Sequence, residues 1–226
     1  MRGSARDALA AALLVASVMP SAAQSVGSLV APAEVVLYLP ASLRSRDFVD
    51  PLVCALRRVL VAPVRTQELG ISFSRDMLAT RSQLDVDKVA HHFGKVATDD
   101  GTPLSFKYLL LPYDLKSTSL NYVFATSYGN QTTRYHIGVV STSRLDVGNP
   151  RIAHQQGAMV TAMRVYKLVL KSIARLAGLS GPERCILSFP RSLDELDQKS
   201  AEFCAEDHEA LIAAGVLKAE ERDSGD

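Results

Sequence analysis

The sequence predicts a single α/β (or α+β) domain in which a mixed sheet is packed with helices. Short apolar runs alternate along the chain with segments whose apolar residues recur at helical spacing, an order typical of this fold class. The chain has 226 residues, which suits one domain with a sizeable core. Its formal net charge of +1 excludes a global field that would attract nucleic acid or anionic lipid.

The first 23 residues have the three-part plan of a secretory signal peptide. Arg2 and Arg6 give a positive start, residues 8–19 form an apolar run, and small residues precede a cleavage point at Gln24. The apolar run is shorter than the roughly 20 residues that span a bilayer, so no membrane span is predicted. A buried N-terminal helix is the alternative. We expect a secreted or periplasmic protein.

The remaining chain divides into three parts. Residues 24–32 form a short polar linker, and residues 33–216 carry all the periodic segments of the predicted domain. Residues 217–226 are charged and predict a disordered tail.

Apolar segments define the predicted elements of the first half. Residues 33–41 form a buried strand ended by Pro40. In the helix that follows, Pro51 lies near the first turn, where a missing N–H costs nothing. The predicted elements are a strand over 33–41, a helix over 46–62, a strand over 64–73 and a helix over 84–96 with Asp85 as N-cap.

The second half begins with a continuous apolar run, residues 106–115, typical of a central strand buried on both faces. A strand, a turn at Gly129–Asn130 and a returning strand follow. A long helix over residues 154–179 ends at Gly178, as helices with a C-terminal glycine do. Its predicted core residues are Val160, Met163, Leu170, Ile173 and Ala177.

Three cysteines allow at most one disulfide within the chain. Cys54 lies in an apolar run with helical spacing and is predicted to be a buried small hydrophobe. Cys185 and Cys204 are the expected pair, because thiols in an oxidising compartment tend to become a disulfide. The short loop that they close contributes about 3 kcal/mol in the chain-entropy model.

Four basic residues of the long helix, spaced three, four and four apart, form one stripe: Arg164, Lys167, Lys171 and Arg175. Such stripes are usually solvated helix faces. The alternative is that Lys171 and Arg175 project into a cleft and bind an anion, such as a carboxylate of a peptide or protein partner.

Three separated stretches occur in the order of one known family: "YLLLPYDLKSTSLNYVFATS" (residues 108–127), "GVVSTSRL" (138–145), and Gly178-Leu179 with "RCILSFPRSLDELDQKSAEFC" (184–204). Together they resemble the archaemetzincins, a metzincin-type family of zinc metallopeptidases, and the likeness spans about residues 35–204. The resemblance implies a metzincin-like single domain with a mixed, twisted sheet. It also implies that the helix over 154–179 is the former active-site helix.

The family's zinc motif, HExxHxxGxxH, is degenerate in this chain. Anchored at Gly178, the first ligand falls on Lys171, the catalytic Glu on Ser172, the second ligand on Arg175 and the third on or near Gly181. Zinc needs a lone pair from imidazole, thiolate or carboxylate. Protonated Lys has no acceptor and Arg does not deprotonate. Ser cannot replace the carboxylate that deprotonates water. We therefore expect no zinc, no other cofactor and no catalytic residue at this motif.

The resemblance also implies a second zinc site made of four cysteines, of which Cys185 and Cys204 match two. Leu187 stands where the family has a Met. This exchange conserves volume, so Leu187 can still form the base of the former active-site pocket. A disulfide is the preferred interpretation. A zinc site from Cys185, Cys204, Asp207 and His208 is the alternative, since structural zinc usually takes four ligands.

Two functions remain as hypotheses. One is an exported, inactive pseudopeptidase that works as a binding or interaction module, a monomer whose partner is a peptide or protein. The other is an active metal-dependent hydrolase whose ligands come from outside the motif, from His91, His92, His136 or His154. A structural envelope protein without a ligand is a third, blander alternative. Metal analysis of the mature protein separates the first two.

Overall fold

The computed structural model describes residues 29–43, 46–97, 104–129, 136–146 and 154–219, without the side chains of residues 154 and 155. The predicted signal peptide, Asn130 of the predicted turn and residues 220–226 of the predicted tail lie outside the described residues.

The fold is a mixed α/β arrangement, as predicted. The strands are β1 (Glu34–Pro40), β2 (Val64–Leu69), β3 (Gln83–Asp85), β4 (Ser105–Leu111), β5 (Asp114–Lys116), β6 (Ala125–Tyr128) and β7 (His136–Ser141). The helices are α1 (Val49–Val59), α2 (Val86–Ala97), α3 (His154–Leu176), α4 (Leu193–Gln198) and α5 (Ala205–Ala213). The main sheet has the order β2-β1-β4-β7-β6; β6 pairs antiparallel with β7, and the other neighbours pair in parallel. β3 and β5 form a separate parallel pair.

Helices cover both faces of the main sheet. Every residue of β4 is buried, as expected for a central strand with helices on each side. Along β1 and β4, alternate residues belong to different core clusters because successive side chains point to opposite faces. One cluster contains Leu37 and Tyr108 with the apolar residues of α1 and α3, and the other contains Val36 and Leu109 with those of α2. The long helix α3 therefore packs on one face of the sheet.

Local signals place several element ends where the sequence predicts them. The carboxylate of Asp85 accepts hydrogen bonds from the backbone N–H groups of Asp87 and Lys88, at 3.0 and 3.2 Å, so Asp85 caps α2. Gly178 has a φ of +100°, and its N–H donates to the carbonyl of Arg175. Gly178 ends the long helix in the left-handed conformation that glycine adopts without strain.

Two predicted core residues are wrong. Cys54 is exposed, because α1 buries Val49, Leu52, Val53 and Leu56 on one face and Cys54 lies on the other. Met163 is also exposed, and Val160 is only half-buried. The core face of α3 lies at neighbouring positions, and the predicted Leu170, Ile173 and Ala177 are buried there.

The predicted domain has the limits 33 and 216, but residues just before and just after these limits also make ordered contacts. The N–H of Val30 donates to the carbonyl of Ala177 at 2.8 Å. Leu217 is buried and forms an antiparallel bridge with Leu60. Among the helices of the described residues, none is long and apolar enough to cross a membrane.

Candidate functional site

A cavity of about 570 Å³ lies beside the C-terminal half of α3. One wall is the segment that leads into the edge strand β6, and the opposite wall is the loop after the Cys185–Leu187 turn. The walls are mainly apolar and aromatic, and the charged residues among the described lining are cationic. Its principal lining residues are Tyr122, Phe124, Leu168, Phe189, Lys171, Ser172, Arg175 and Arg191.

Two contacts fix the walls of this cavity. The hydroxyl of Tyr122 donates a hydrogen bond to the carbonyl of Arg191 and so joins the two walls. The guanidinium of Arg144 lies over the Tyr122 ring, 4.4 Å from its centroid, and pairs with Asp114. This pairing is the main reason that the pKa of Asp114 is lowered. The Arg144–Asp114 ion pair thus supports the aromatic wall of the cavity.

The N-terminal half of the basic stripe is buried, so its interpretation as a solvated helix face is wrong. Arg164 donates to both carboxylate oxygens of Asp197, at 2.7 and 2.6 Å, and to the carbonyl of Leu145 at 2.9 Å. The ammonium of Lys167 donates to the carbonyls of Leu196 and Asp197, both at 2.9 Å. Lys167 thus satisfies carbonyls at the C-terminal end of the short helix α4, which lack intrahelical partners, and Arg164 binds a side chain of the same helix.

The titration of these groups follows from the same contacts. The hydrogen bonds from Arg164 lower the pKa of Asp197 below its ordinary value, against the opposing effect of partial burial. Burial lowers the pKa of Lys167, and the nearby Asp197 only partly compensates. The N-terminal half of the stripe is therefore a structural anchor.

The C-terminal half of the stripe borders the cavity and surrounds a carboxylate of the chain itself. The ammonium of Lys171 lies 2.7 Å from Oε2 of Glu183, and Nη2 of Arg175 lies 3.5 Å from Oε1. Lys171 also donates to the carbonyl of Ser188 at 3.2 Å and lies over the Phe189 ring, 5.5 Å from its centroid. Within the chain, Glu183 is the carboxylate that pairs with Lys171 and Arg175. The predicted contact of these two residues with an anion of a peptide or protein partner stays a prediction.

The other two motif positions also lack a metal-ligating group. Ser172 is largely buried in the wall of the cavity, and its hydroxyl lies 3.1 Å from the hydroxyl of Tyr108. Gly181 has a φ of +130°, which strains any residue with a side chain, and its carbonyl accepts from Arg175 at 3.2 Å. The residues at the four motif positions do not fit zinc. They present an ammonium, a hydroxyl, a guanidinium and a glycine.

The predicted Cys185–Cys204 disulfide is present, with an S–S distance of 2.01 Å. Because the two sulfurs are bonded to each other, they are not available as zinc ligands in the alternative site with Asp207 and His208. Asp207 instead lies 3.5 Å from the guanidinium of Arg184. Leu187, at the position of the family's Met, is fully buried.

The histidines of the rival hydrolase hypothesis lie in different environments. His91 is exposed, and His92 packs edge-on against Phe73. His136 is buried in β7 and stacks on Phe106 with ring centroids 4.8 Å apart. The side chain of His154 lies outside the described residues. Within the described part of the chain, no group of three or more His, Cys, Asp or Glu residues could hold a metal ion.

Lys199, which the sequence analysis missed, is buried beside the C-terminal half of the stripe. Its ammonium nitrogen has no hydrogen-bond partner among the described residues. Burial, followed by repulsion from Lys171, lowers the pKa of Lys199 to about 7, while Glu183 acts in the opposite direction. No periodic pattern in the sequence identifies this residue, since it follows α4 in an irregular segment.

Comparison with known proteins supports the resemblance seen in the sequence. The model of peptidase family M54 matches residues 124–212, which include α3, the disulfide loop and most of the cavity lining. No curated protein sequence matches the chain.

Three solved structures share the fold. A zinc-dependent peptidase from Methanocorpusculum labreanum has a TM-score of 0.58 and 23% identity, covering 78% of this chain and 99% of that chain. An archaemetzincin from Archaeoglobus fulgidus, complexed with malonate, has a TM-score of 0.55, 20% identity and coverages of 78% and 99%. An archaemetzincin from Methanopyrus kandleri has a TM-score of 0.60, 20% identity and coverages of 80% and 94%. The predicted resemblance to the archaemetzincins is confirmed.

Proposed function

We propose that this archaemetzincin-like protein is an exported pseudopeptidase that binds peptides in its cavity and does not hydrolyse them. The observation that carries the proposal is the Lys171–Glu183–Arg175 cluster, in which two cations stand at metal-ligand positions of the family motif and pair with a carboxylate from outside the motif. The similarity of the chain to peptidase family M54 and to a zinc-dependent peptidase supports a metallopeptidase ancestry. The lost function is the binding of the metal.

Electrostatics argues against zinc at this place, although the similar solved structure from M. labreanum is a zinc-dependent peptidase. An ammonium and a guanidinium, two unit charges, would repel a divalent cation lying between them. Glu183 is a single carboxylate already engaged by both. Compared with a metal site, the positions of the positive and negative charges are reversed. Where the family motif predicts donors around a cation, this chain has cations around an anion.

The edge strand that lines the cavity favours an extended peptide. β6 lies at the edge of the sheet and lines the cavity along Ala125–Ser127. An edge strand offers backbone N–H and C=O groups to which a further extended segment can pair. The apolar walls beside this edge can receive side chains of such a segment. The archaemetzincin from A. fulgidus is complexed with malonate, a dicarboxylate, which is consistent with an anionic ligand for this fold.

Export is proposed from the three-part plan of the first 23 residues. The Cys185–Cys204 disulfide supports it, because disulfides persist in oxidising compartments and are rare in the cytosol. N-terminal sequencing of protein recovered outside the cytoplasm tests this part of the proposal. We expect the first residue to be Gln24. Recovery of the intact N-terminus in the cytoplasm would refute export.

Elemental analysis of the purified mature protein, combined with a peptidase assay, tests the loss of catalysis. We expect zinc far below one ion per chain after incubation with zinc and desalting, and no cleavage of unstructured peptides. The M. labreanum peptidase, treated identically, is the positive control. Stoichiometric zinc together with chelator-sensitive cleavage would overturn the proposal in favour of a hydrolase with ligands outside the motif.

A further inference from the structure

We infer that the cavity recognises the free C-terminal carboxylate of a peptide that ends in a large apolar residue, and that Glu183 competes with this carboxylate for Lys171 and Arg175. The inference rests on the proposed function, since it names the peptide group that the cavity would bind. It is carried by the charges that line the cavity, by its apolar walls, and by the different exposure of Glu183 and its two partners.

The charged residues in the described lining of the cavity all have the same sign of charge. Lys171, Arg175 and Arg191 contribute to it, whereas no Asp or Glu is among the lining residues that the structure describes. Glu183 pairs with Lys171 and Arg175 without itself lining the cavity. A ligand that enters the cavity therefore meets basic residues and no acidic residue of the described lining. Carboxylates form strong, charge-assisted hydrogen bonds with such groups.

The rest of the lining calls for an apolar group close to that carboxylate. Tyr122 and Phe124 pack edge to face with centroids 5.2 Å apart, and Leu168 extends the same apolar lining. Phe189, on the opposite wall, has 54% of its surface exposed. Covering such aromatic surface with an apolar ligand group removes it from water and is favourable.

A C-terminal apolar residue meets both requirements because its side chain and its carboxylate share one Cα atom. An Asp or Glu side chain would reach the cations but leave the aromatic walls in water. An apolar residue inside a peptide would cover the walls but bring no charge. Capture of a terminal carboxylate is a known mode of peptide recognition. The cavity volume of about 570 Å³ lies within the usual range for small-ligand sites.

Glu183 has the position of a replaceable partner. Its side chain is 53% exposed, whereas those of Lys171 and Arg175 are 16% and 25% exposed. Backbone carbonyls also hold the two cations. Ser188 accepts from Lys171 at 3.2 Å, and Leu179 accepts from Arg175 at 3.0 Å. The cations therefore stay in place when Glu183 turns into solvent, and a ligand carboxylate takes over its ion pairs.

Isothermal titration with two probes tests the inference: an acetylated Ala-Leu-Phe peptide with a free C-terminus and the same peptide with a C-terminal amide. For the unchanged protein we expect the free acid to bind about tenfold more tightly than the amide, the effect of one charge-assisted contact. In Glu183→Gln the free acid should bind a further about tenfold more tightly, since the competitor is gone, while amide binding stays unchanged.

Glu206→Gln is the matched control, because Glu206 is another exposed acid, paired with Arg184 at 2.6 Å and absent from the cavity lining. It should leave both affinities unchanged. Lys171→Met should remove the preference for the free acid, with thermal unfolding as the check that the variant is folded.

The outcomes separate the two proposals. Equal binding of acid and amide would overturn the carboxylate inference and leave peptide binding intact. Unchanged or weaker binding of the acid to Glu183→Gln would overturn the competitor role. Failure of both peptides to bind either protein would refute the proposed peptide-binding function and this inference with it.

Discussion

The two halves of the basic stripe on α3 each consist of one Arg and one Lys on the same face of the helix, yet they lie in different environments. Arg164 and Lys167 are buried and hold the C-terminal end of α4. Lys171 and Arg175 border a cavity and pair with the half-exposed Glu183. Spacing decides that the four residues share a helix face, but the segment that packs on this face decides what each half does.

The partners of the two halves also differ in how firmly they are held. Asp197 receives two short hydrogen bonds from Arg164, and it belongs to a helix whose N-terminus is capped by Ser192. Glu183 lies in an irregular loop and receives one close contact from Lys171 and one longer contact from Arg175. We therefore expect substitutions in the first half to affect stability and those in the second half to affect ligand binding.

Loss of the disulfide should destabilise both halves at once and have the largest effect. The segment between Cys185 and Cys204 contains Asp197, the partner of Arg164, and Ser188, a partner of Lys171. Replacing both cysteines by Ser should lower the free energy of unfolding by about 3 kcal/mol, the value for a loop of this length in the chain-entropy model. Denaturant unfolding measures the change.

Cys54→Ser is the control for the disulfide variant, because Cys54 is exposed and has a free thiol. It should change stability by less than about 0.5 kcal/mol. A double cysteine variant as stable as this control would show that the loop is held by its other contacts alone.

The second largest effect is expected at Arg164. Replacing Arg164 by Met removes a two-bond ion pair and leaves the carbonyl of Leu145 without this donor. Removing one partner of a fully buried pair costs about 3–5 kcal/mol. The side chain of Asp197 is 42% exposed, so water can solvate the carboxylate left behind. We expect a smaller loss of about 2 kcal/mol, given that the penalty for the remaining charge is reduced.

Arg46→Met is the matched control for Arg164. Arg46 forms an ion pair of the same length, 2.6 Å, with Glu68, but both side chains are exposed. Exposed pairs contribute about 0–1 kcal/mol. Equal losses in the two variants, measured by denaturant unfolding, would contradict the structural role assigned to the N-terminal half of the stripe.

Lys199 is affected by a lysine of each half of the stripe and makes the stability of the protein depend on pH. Burial lowers its pKa from 10.5 to about 7, with Lys171, Lys167 and Glu183 as the charged groups that act on it. The folded state therefore releases the proton at a lower pH than the unfolded state. Relative to Lys199→Met, the protein should gain stability as the pH rises above about 7, by at most about 1.4 kcal/mol per pH unit.

Unfolding of the protein and of Lys199→Met at several pH values between about 6 and 9 tests this. Comparing the two proteins removes the contributions of groups that titrate equally in both. The difference in unfolding free energy should be constant below about pH 7 and rise above it. A difference that stays flat or falls over this range would show that the amine has an acceptor or is solvated.

The sequence predicts the main sheet and the three longer helices because their signals are local and repeated, whereas α4, α5 and the β3–β5 pair are not predicted. The buried run of β4, the Asp85 cap and the glycine at the end of α3 each fix a backbone feature within a few residues. Cys54 and Met163 fail because an apolar residue inside a periodic run does not have to lie on the face that packs. Which face of a helix packs on the sheet is decided by the tertiary structure.

Only some residues of the candidate site can be predicted from the sequence. Lys171, Arg175 and the Cys185–Cys204 pair follow from spacing and resemblance. Glu183 and Lys199 do not, since they lie 12 residues after Lys171 and 24 after Arg175 in irregular segments. Their contacts depend on how the disulfide loop folds back on α3. No motif carries that information.

The smallest effect on stability is expected at Lys171, in the half of the stripe assigned to binding. Lys171→Met removes the ion pair with Glu183, whose side chain is 53% exposed, and retains an unbranched apolar stem. Glu183 keeps its contact with Arg175 and its access to water. We expect a loss below about 1 kcal/mol, as for solvent-screened pairs, measured by denaturant unfolding. A loss as large as that of Arg164→Met would mean that the two halves are equally structural, and the division between an anchoring half and a binding half would fail.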